Sequence, residues 1–340
     1  MMRCIELAKN GLGTTYPNPL VGSLIVHKNS IVGEGWHQKA GEPHAEVNAI
    51  ANVKDISLLK DATIYVNLEP CSHFGKTPPC SDLIIEKGIK KVVIGCSDPN
   101  PKVAGKGIQK LKDAGCEVIV NVCQKEAEAL NKRFFTFQNK KRPFIILKWA
   151  QTQDGFIAPK EKKEQKPVWI TNEFSRQLAH KMRAEEQAIL VGTNTVLDDN
   201  PSLTTRDWKG NSPIRIALDR TLKIPEDASI FDSNVKTIVL TETEKENDEF
   251  LLFERIHFSK NITKQICDVL YRHSIQSVIV EGGAKTLQTF IDENLWDEAF
   301  VFEGNSTITE GVKAPLFKGK LLSEKKIKND QLLHYKNTNT

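Results

Sequence analysis

His44, Cys71 and Cys80, with Glu46 two places after the histidine, are the residues of this chain best equipped for chemistry. They lie in the runs Pro43-His44-Ala45-Glu46, Glu69-Pro70-Cys71 and Pro78-Pro79-Cys80. One imidazole and two thiolates make three ligands for zinc and leave the fourth tetrahedral position to water. Glu46, at the start of an expected helix, can lean toward that water without ligating. A metal that activates water near neutral pH, beside a carboxylate that shuttles protons, is equipment for hydrolytic removal of an amino group from a base. Eight residues separate the two cysteines, where the commoner deaminase spacing has two. A purely structural zinc knot would need a fourth protein ligand, and His73 is too tightly wedged beside Cys71 to close a tetrahedron. Three unrelated buried residues is the other plain reading, since free cysteine is often buried. The joint pattern of His-x-Glu and two Pro-Cys pairs outweighs both.

The elements that must position these residues follow from periodicity. Apolar, β-rich runs at 20–26, 31–36, 62–67, 91–96 and 117–120 read as strands. Between them 44–53, 79–87 and 106–114 read as helices, with Pro79 in a first turn and Gly88 and Gly115 as stops. His44 and Glu46 then open one helix, while Cys71 and Cys80 bracket the loop entering the next. Two helix N-termini converging on one point favour thiolates. A single helix is expected over 124–139, then a boundary at Lys140-Lys141-Arg142-Pro143, giving domains 1–142 and 143–340. The second half alternates expected strands (144–149, 187–191, 214–218, 237–241, 255–258, 277–280, 298–302) with helices at 172–183, 262–273 and 284–293. The charge run 160–166 reads as a solvated turn between hairpin strands. The tail from Lys318 reads as polar, ending in disorder after Tyr335. Both halves are therefore α/β.

The chain has 340 residues, too many for one ordinary domain. Its 47 basic and 43 acidic residues nearly balance, so no field for tight non-specific nucleic-acid binding is present. No apolar run reaches membrane-spanning length, and the N-terminal stretch carries Glu6 where a signal peptide would be apolar. Seven cysteines without scaffold spacing read as reduced thiols of a cytoplasmic protein, with Cys96, Cys116, Cys123 and Cys267 as packing residues.

Several longer runs add a resemblance. Asn18-Pro19-Leu20-Val21-Gly22, Gly35-Trp36-His37, His44-Ala45-Glu46, the stretch from Glu69 through Ser72-His73-Phe74-Gly75-Lys76 to Cys80, and Asp98-Pro99-Asn100-Pro101 resemble the deaminase half of the bacterial bifunctional riboflavin-biosynthesis deaminase-reductases. The long Cys-to-Cys loop is that family's pattern. The resemblance implies a three-layer, cytidine-deaminase-like fold and deamination of a diaminopyrimidinone ribotide, with substrate contacts at Asn18, His37, His73 and Lys76. Each of these four has a plainer reading as a turn former, a satisfied surface residue or a solvated loop charge. A deaminase of nucleosides or nucleic acid and a non-enzymatic zinc module are the other classes; the balanced charge speaks against polynucleotides.

In the second half, Val280-Glu281-Gly282-Gly283-Ala284 joins a strand to a helix, a turn whose amides suit a phosphate; alone it is a weak signal. Leu147-Lys148-Trp149-Ala150, Trp169-Ile170-Thr171, Lys181-Met182-Arg183, the stretch 192–199 and Asn200-Pro201-Ser202-Leu203-Thr204-Thr205-Arg206 resemble the same family's reductase half, which is similar to dihydrofolate reductase in fold. The resemblance implies NADPH-dependent reduction of a ribosyl to a ribityl group in a homo-oligomer. By position, Ala150, Trp169, Thr195, Asp199, Gly283, Ala284, Lys285, Thr286, Leu287, Gln288 and Thr289 would meet NADPH. Lys148, Arg183, Leu203, Arg206 and Glu281 would meet substrate. Arg183 and Arg206 suit a 5′-phosphate because a guanidinium fork binds it bidentately, though surface ion pairing is the common alternative. Lys148 lies in an apolar strand and wants a carboxylate or a ligand. Two departures from the family stand out: Lys166-Pro167-Val168 replaces a Gly-x-Ser segment, and Glu303-Gly304-Asn305-Ser306 replaces an apolar strand end. A deaminase whose second domain binds without reducing is the alternative reading.

Overall fold

The structure, a computed structural model, describes residues 1–72, 74, 78–101, 103–162 and 164–339. The chain divides into two compact units, Met1–Lys141 and Arg142–Thr340.

The first unit runs α1 (Met2–Ala8), β1 (Gly22–His27), β2 (Ser30–Trp36), α2 (Ala45–Ala51), β3 (Thr63–Leu68), α3 (Cys80–Glu86), β4 (Lys91–Cys96), α4 (Lys106–Asp113), β5 (Glu117–Ile119), α5 (Gln124–Leu130) and α6 (Lys132–Lys140). Its five strands lie in the order β2-β1-β3-β4-β5. The β1–β2 and β1–β3 pairs are antiparallel, and β3–β4 and β4–β5 are parallel. Five consecutive residues of β4 are buried, as expected of a strand covered on both faces. Ile25, Ile64, Val66 and Ile94 from the sheet meet Ala49, Ile50, Ile84 and Leu111 from the helices. Burying each large aliphatic side chain contributes about 1.5–3 kcal/mol. Helix α2 lies directly on β2 because Gly33 and Gly35 carry no side chain: a Cβ at Gly35 would stand 2.6 Å from the Ala49 nitrogen. That contact fixes the height of α2 and hence of His44 and Glu46.

The second unit runs β6 (Phe144–Thr152), β7 (Phe156–Pro159), α7 (Glu173–Glu185), β8 (Ala188–Gly192), α8 (Thr193–Asp199), β9 (Ile214–Leu218), β10 (Thr237–Thr241), β11 (Leu251–Arg255), α9 (Ile262–Arg272), β12 (Ser277–Val280) and α10 (Ala284–Asp292). It closes with β13 (Glu298–Gly304), β14 (Gly311–Lys313), β15 (Lys320–Ile327) and β16 (Asp330–Lys336). Nine strands form one sheet in the order β11-β10-β9-β8-β12-β6-β13-β16-β15, and β14 pairs β7 separately. Strands β11 to β13 run parallel; β16 returns antiparallel to β13 and β15. Among the described residues no helix is long and apolar enough to cross a membrane.

Four expectations need correction. The helix expected over 124–139 is two helices broken at Asn131, whose buried amide turns to Leu20, accepting from its N–H at 2.8 Å and donating to its carbonyl at 2.9 Å. The strand expected at 255–258 is Leu251–Arg255, because the N–H groups of His257 and Phe258 are taken by the side chains of Gln265 and Glu242. The tail from Lys318 is the β15–β16 hairpin. Its buried Asp330 accepts from the Ser175 hydroxyl at 2.6 Å and the Asn172 N–H at 2.8 Å, tying it to the start of α7. The charge run 160–166 does not join hairpin strands, since β7 pairs β14 instead, and Lys162 turns inward to Asp199.

Candidate active sites

His44 is the N-cap of α2, Glu46 lies in that helix's first turn, Cys71 follows β3, and Cys80 is the first residue of α3. The ligand atoms of His44, Cys71 and Cys80 all lie within 4.8 Å of one another. His44 Nδ1 stands 3.6 Å from the Cys71 sulfur and 3.3 Å from that of Cys80. A tetrahedral zinc with ordinary Zn–S and Zn–N bonds requires nitrogen-to-sulfur edges of about 3.5 Å, so this donor set fits the ion in both kind and spacing. The Cys80 N–H points at the Cys71 sulfur at 3.3 Å, a donor suited to a thiolate. Bonding with Cys80, and then with His44, pushes the Cys71 thiol down to about 4, while Cys71 pushes Cys80 up. A dication between them would favour both sulfurs as thiolates. Glu46 is only 3 % exposed, and burial first, then the Cys71 charge, raises its pKa.

His37 is 2 % exposed, and its ring meets that of His44 edge-on at 5.3 Å. Its Nδ1 lies 3.1 Å from the Pro43 carbonyl, which can only accept, so Nδ1 carries the proton. Burial lowers its pKa, keeping the ring neutral. Nε2 therefore accepts from the Asn18 amide nitrogen at 3.0 Å. This orients the Asn18 amide and leaves its oxygen directed elsewhere. His37 was expected as a substrate contact; the structure places it as the partner of Asn18. His73 and Lys76 lie outside the described residues.

In the second unit, Glu281 follows β12 and meets Arg183 from α7 through two bonds, 2.6 Å to Nη2 and 3.2 Å to Nε, with Lys148 Nζ from β6 at 3.8 Å. The side chains of Lys148, Arg183 and Glu281 are 15 %, 13 % and 7 % exposed, so these charges interact in a poorly hydrated space. Burial alone would raise the Glu281 pKa, but Arg183 and then Lys148 hold it down at about 2. Lys148 is pushed down by burial, against the pull of Glu281.

Two adjoining cavities, of about 680 and 540 Å³, share Lys148, Ala150, Thr195, Asp199 and Glu281 as a common wall. Gly283, Ala284, Lys285, Thr286, Leu287 and Thr289 line the larger one. There Gly283 is the N-cap of α10, with no side chain capping the free amides, so an anion can take them. A Cβ at Gly192 would stand 2.7 Å from the Thr286 hydroxyl, so the glycine lets the first turn of α10 come close to β8 here. A dinucleotide fits these features. Gln288 bonds Leu316 in both directions and Asp292, beside the residues that line the cavity. Trp169 lines the smaller cavity alone, with the Arg176 guanidinium 5.0 Å over its ring.

Arg183, Leu203 and Arg206 line the smaller cavity. Arg183 does not present the free fork expected for a phosphate, being held by Glu281 and the Thr204 carbonyl. Arg206 donates to the neutral hydroxyls of Ser202 and Thr204, which leave its charge for an anion. Pro167 and Val168 line both cavities and present apolar surface to them. Residues overlooked in the sequence are Arg176 and His180, which with Ala179 and Arg183 face the smaller cavity. Their i, i+3, i+4, i+7 spacing was the available signal.

Residues 143–338 match the family described as the RibD C-terminal domain, and residues 1–96 that described as the cytidine and deoxycytidylate deaminase zinc-binding region. The riboflavin biosynthesis protein RibD of Aquifex aeolicus is 44 % identical over 321 residues, covering 92 % of this chain and 88 % of that protein. The Escherichia coli protein of the same name is 36 % identical over 334 residues, covering 89 % and 86 %. A diaminohydroxyphosphoribosylaminopyrimidine deaminase/5-amino-6-(5-phosphoribosylamino)uracil reductase from Thermotoga maritima superposes with a TM-score of 0.89 at 39 % identity, over 99 % of this chain and 97 % of that one. Acinetobacter baumannii RibD gives a TM-score of 0.88 at 33 % identity, over 99 % and 97 %. With three soft donors gathered at a zinc-sized spacing in one unit and a double cavity in the other, the chain belongs to the RibD family of bifunctional riboflavin-biosynthesis deaminase-reductases.

Proposed function

We propose that His44, Cys71 and Cys80 hold zinc and that Glu46 moves protons in deaminating 2,5-diamino-6-ribosylamino-4(3H)-pyrimidinone 5′-phosphate. The second unit then reduces the ribosyl group to ribityl with NADPH. The observation that carries the reading is the convergence of one imidazole and two sulfurs within 4.8 Å beside a buried carboxylate. Zinc, when bound, lowers the pKa of a water toward neutrality. Glu46 takes a proton from the attacking water and delivers it to the departing amino group, which leaves as ammonia. Burial raises its pKa, which eases the uptake of that proton. Asn18, with its nitrogen committed to His37, offers its oxygen to a ring N–H of the pyrimidine.

In the reductase unit, NADPH, when bound, supplies hydride. The α10 amides take its diphosphate, and Arg206 takes the ribotide phosphate in the smaller cavity. Lys148 and Glu281 stand on the wall common to both cavities and orient the sugar at the junction. The deaminase-only alternative has no support, because the RibD C-terminal match spans 143–338. The reading further includes a cytoplasmic homo-oligomer acting on a small ribotide, not on nucleic acid or membrane. The balance of 47 basic and 43 acidic residues supports the exclusion of nucleic acid, and size-exclusion chromatography with light scattering tests the assembly.

The test follows ammonia release and NADPH oxidation separately on purified protein. Glu46→Gln is expected to slow ammonia release by about 10²–10⁴-fold, with NADPH oxidation on supplied deaminated intermediate unchanged. Ammonia release at the full rate in that variant sinks the assignment.

A further inference from the structure

Glu69 precedes the sulfur ligand Cys71 by two residues and is 4 % exposed. Among the described residues it has no lysine or arginine partner. Its carboxylate instead accepts four backbone N–H groups. Oε1 takes those of Gly107 at 2.9 Å and Ile108 at 3.2 Å; Oε2 takes those of Gly105 at 3.0 Å and Asp98 at 3.2 Å. Asp98 and Gly105 lie in the connection from β4, and Gly107 and Ile108 in the first turn of α4, so one side chain ties the start of that connection to the start of the helix. The contact is close on the main chain too, since a Cβ at Gly107 would stand 2.1 Å from the Pro70 carbonyl. On its other side Cys71 is held by α3: its carbonyl accepts from the Ser81 N–H at 3.1 Å and its sulfur from the Cys80 N–H.

We propose that Glu69 is a positioning residue for the metal centre, clamping the loop 98–108 against Pro70 so that the Cys71 sulfur is presented at a fixed height to His44 and Cys80. This rests on the reading of Cys71 as a metal ligand. The chemistry is specific to a carboxylate. Two oxygens with four lone-pair directions match four donors, whereas the glutamine amide of nearly equal volume offers one oxygen and turns an NH₂ toward two N–H groups. Such supporting partners commonly alter metal affinity or activity by about 10–100-fold.

The experiment compares full-length wild type with Glu69→Gln in three measurements. Hydrogen exchange of the peptide 98–108 is read by mass spectrometry on metal-free protein. Zinc loss to a chelator is timed, and the thiolate-to-metal absorption of the cobalt-substituted protein is recorded. Glu69→Gln is expected to exchange that peptide at least tenfold faster, lose zinc at least tenfold faster and shift the cobalt absorption, with reductase kcat unchanged. Faster exchange with unaltered zinc loss and cobalt absorption would make Glu69 a structural anchor only and overturn the proposal, as would unaltered exchange. Should Glu69→Gln not fold, Gly107→Ala pushes the same loop away from Pro70 and is held to the same three outcomes. A wild-type protein that takes up no cobalt would instead bring down the underlying metal-centre reading.

Discussion

Replacing Glu281 by glutamine removes the negative charge between Arg183, 2.6 Å away, and Lys148, 3.8 Å away. The magnitude follows from the carboxylate itself, whose pKa those cations hold at about 2 against burial, below the ordinary 4.5. That drop corresponds to about 3 kcal/mol of preference for the charged form, in line with the cost of breaking a buried pair. Because the folded-state pKa is depressed, this stability is fully present above pH 4.5 and disappears as pH falls through about 2. For a unit of this size about 3 kcal/mol lowers Tm by about 6–12 °C. Four of the five tryptophans, 149, 169, 208 and 296, lie in the second unit, so tryptophan fluorescence chiefly reports its melting. The expected result is a Tm gap of that size between wild type and Glu281→Gln at pH 7, narrowing as the pH is lowered below 4.5, together with loss of NADPH oxidation. Equal melting at pH 7, or a gap that does not respond to acid, would refute the reasoning.

Cys80→Ser is expected to bring bound zinc close to nil and abolish ammonia release, while NADPH oxidation on supplied deaminated intermediate persists; metal analysis and the two assays check it. Arg206→Ala should raise KM for that intermediate by about 10–100-fold with little change in kcat, because a charge-assisted bond is worth about 1.5–3 kcal/mol. Initial-rate kinetics on the reductase step decide this. Asn131→Ala leaves the Leu20 N–H without its acceptor, whereas the Leu20 carbonyl keeps the Asn67 amide. A loss of about 1–3 kcal/mol in the first unit is expected by chemical denaturation, with reductase activity unchanged.

The amino-acid sequence by itself pointed to the donor set His44, Cys71 and Cys80, to the alternation of strands and helices and to the glycine turn at Gly282-Gly283. These are local: a ligand is a residue type at a spacing, and an amphipathic period is written within one element. The second unit's hairpin was not legible, because seven of the eight residues of β15 are exposed and carry no burial pattern. Nor was the break at Asn131, whose cause lies 111 residues away at Leu20. Tertiary structure alone decided that His37 orients Asn18, that Arg183 is committed to Glu281 across 98 residues of chain, and that Lys162 leaves the charge run for Asp199. A buried charge or amide takes whichever partner the fold brings within hydrogen-bond reach, and chain order does not encode that proximity.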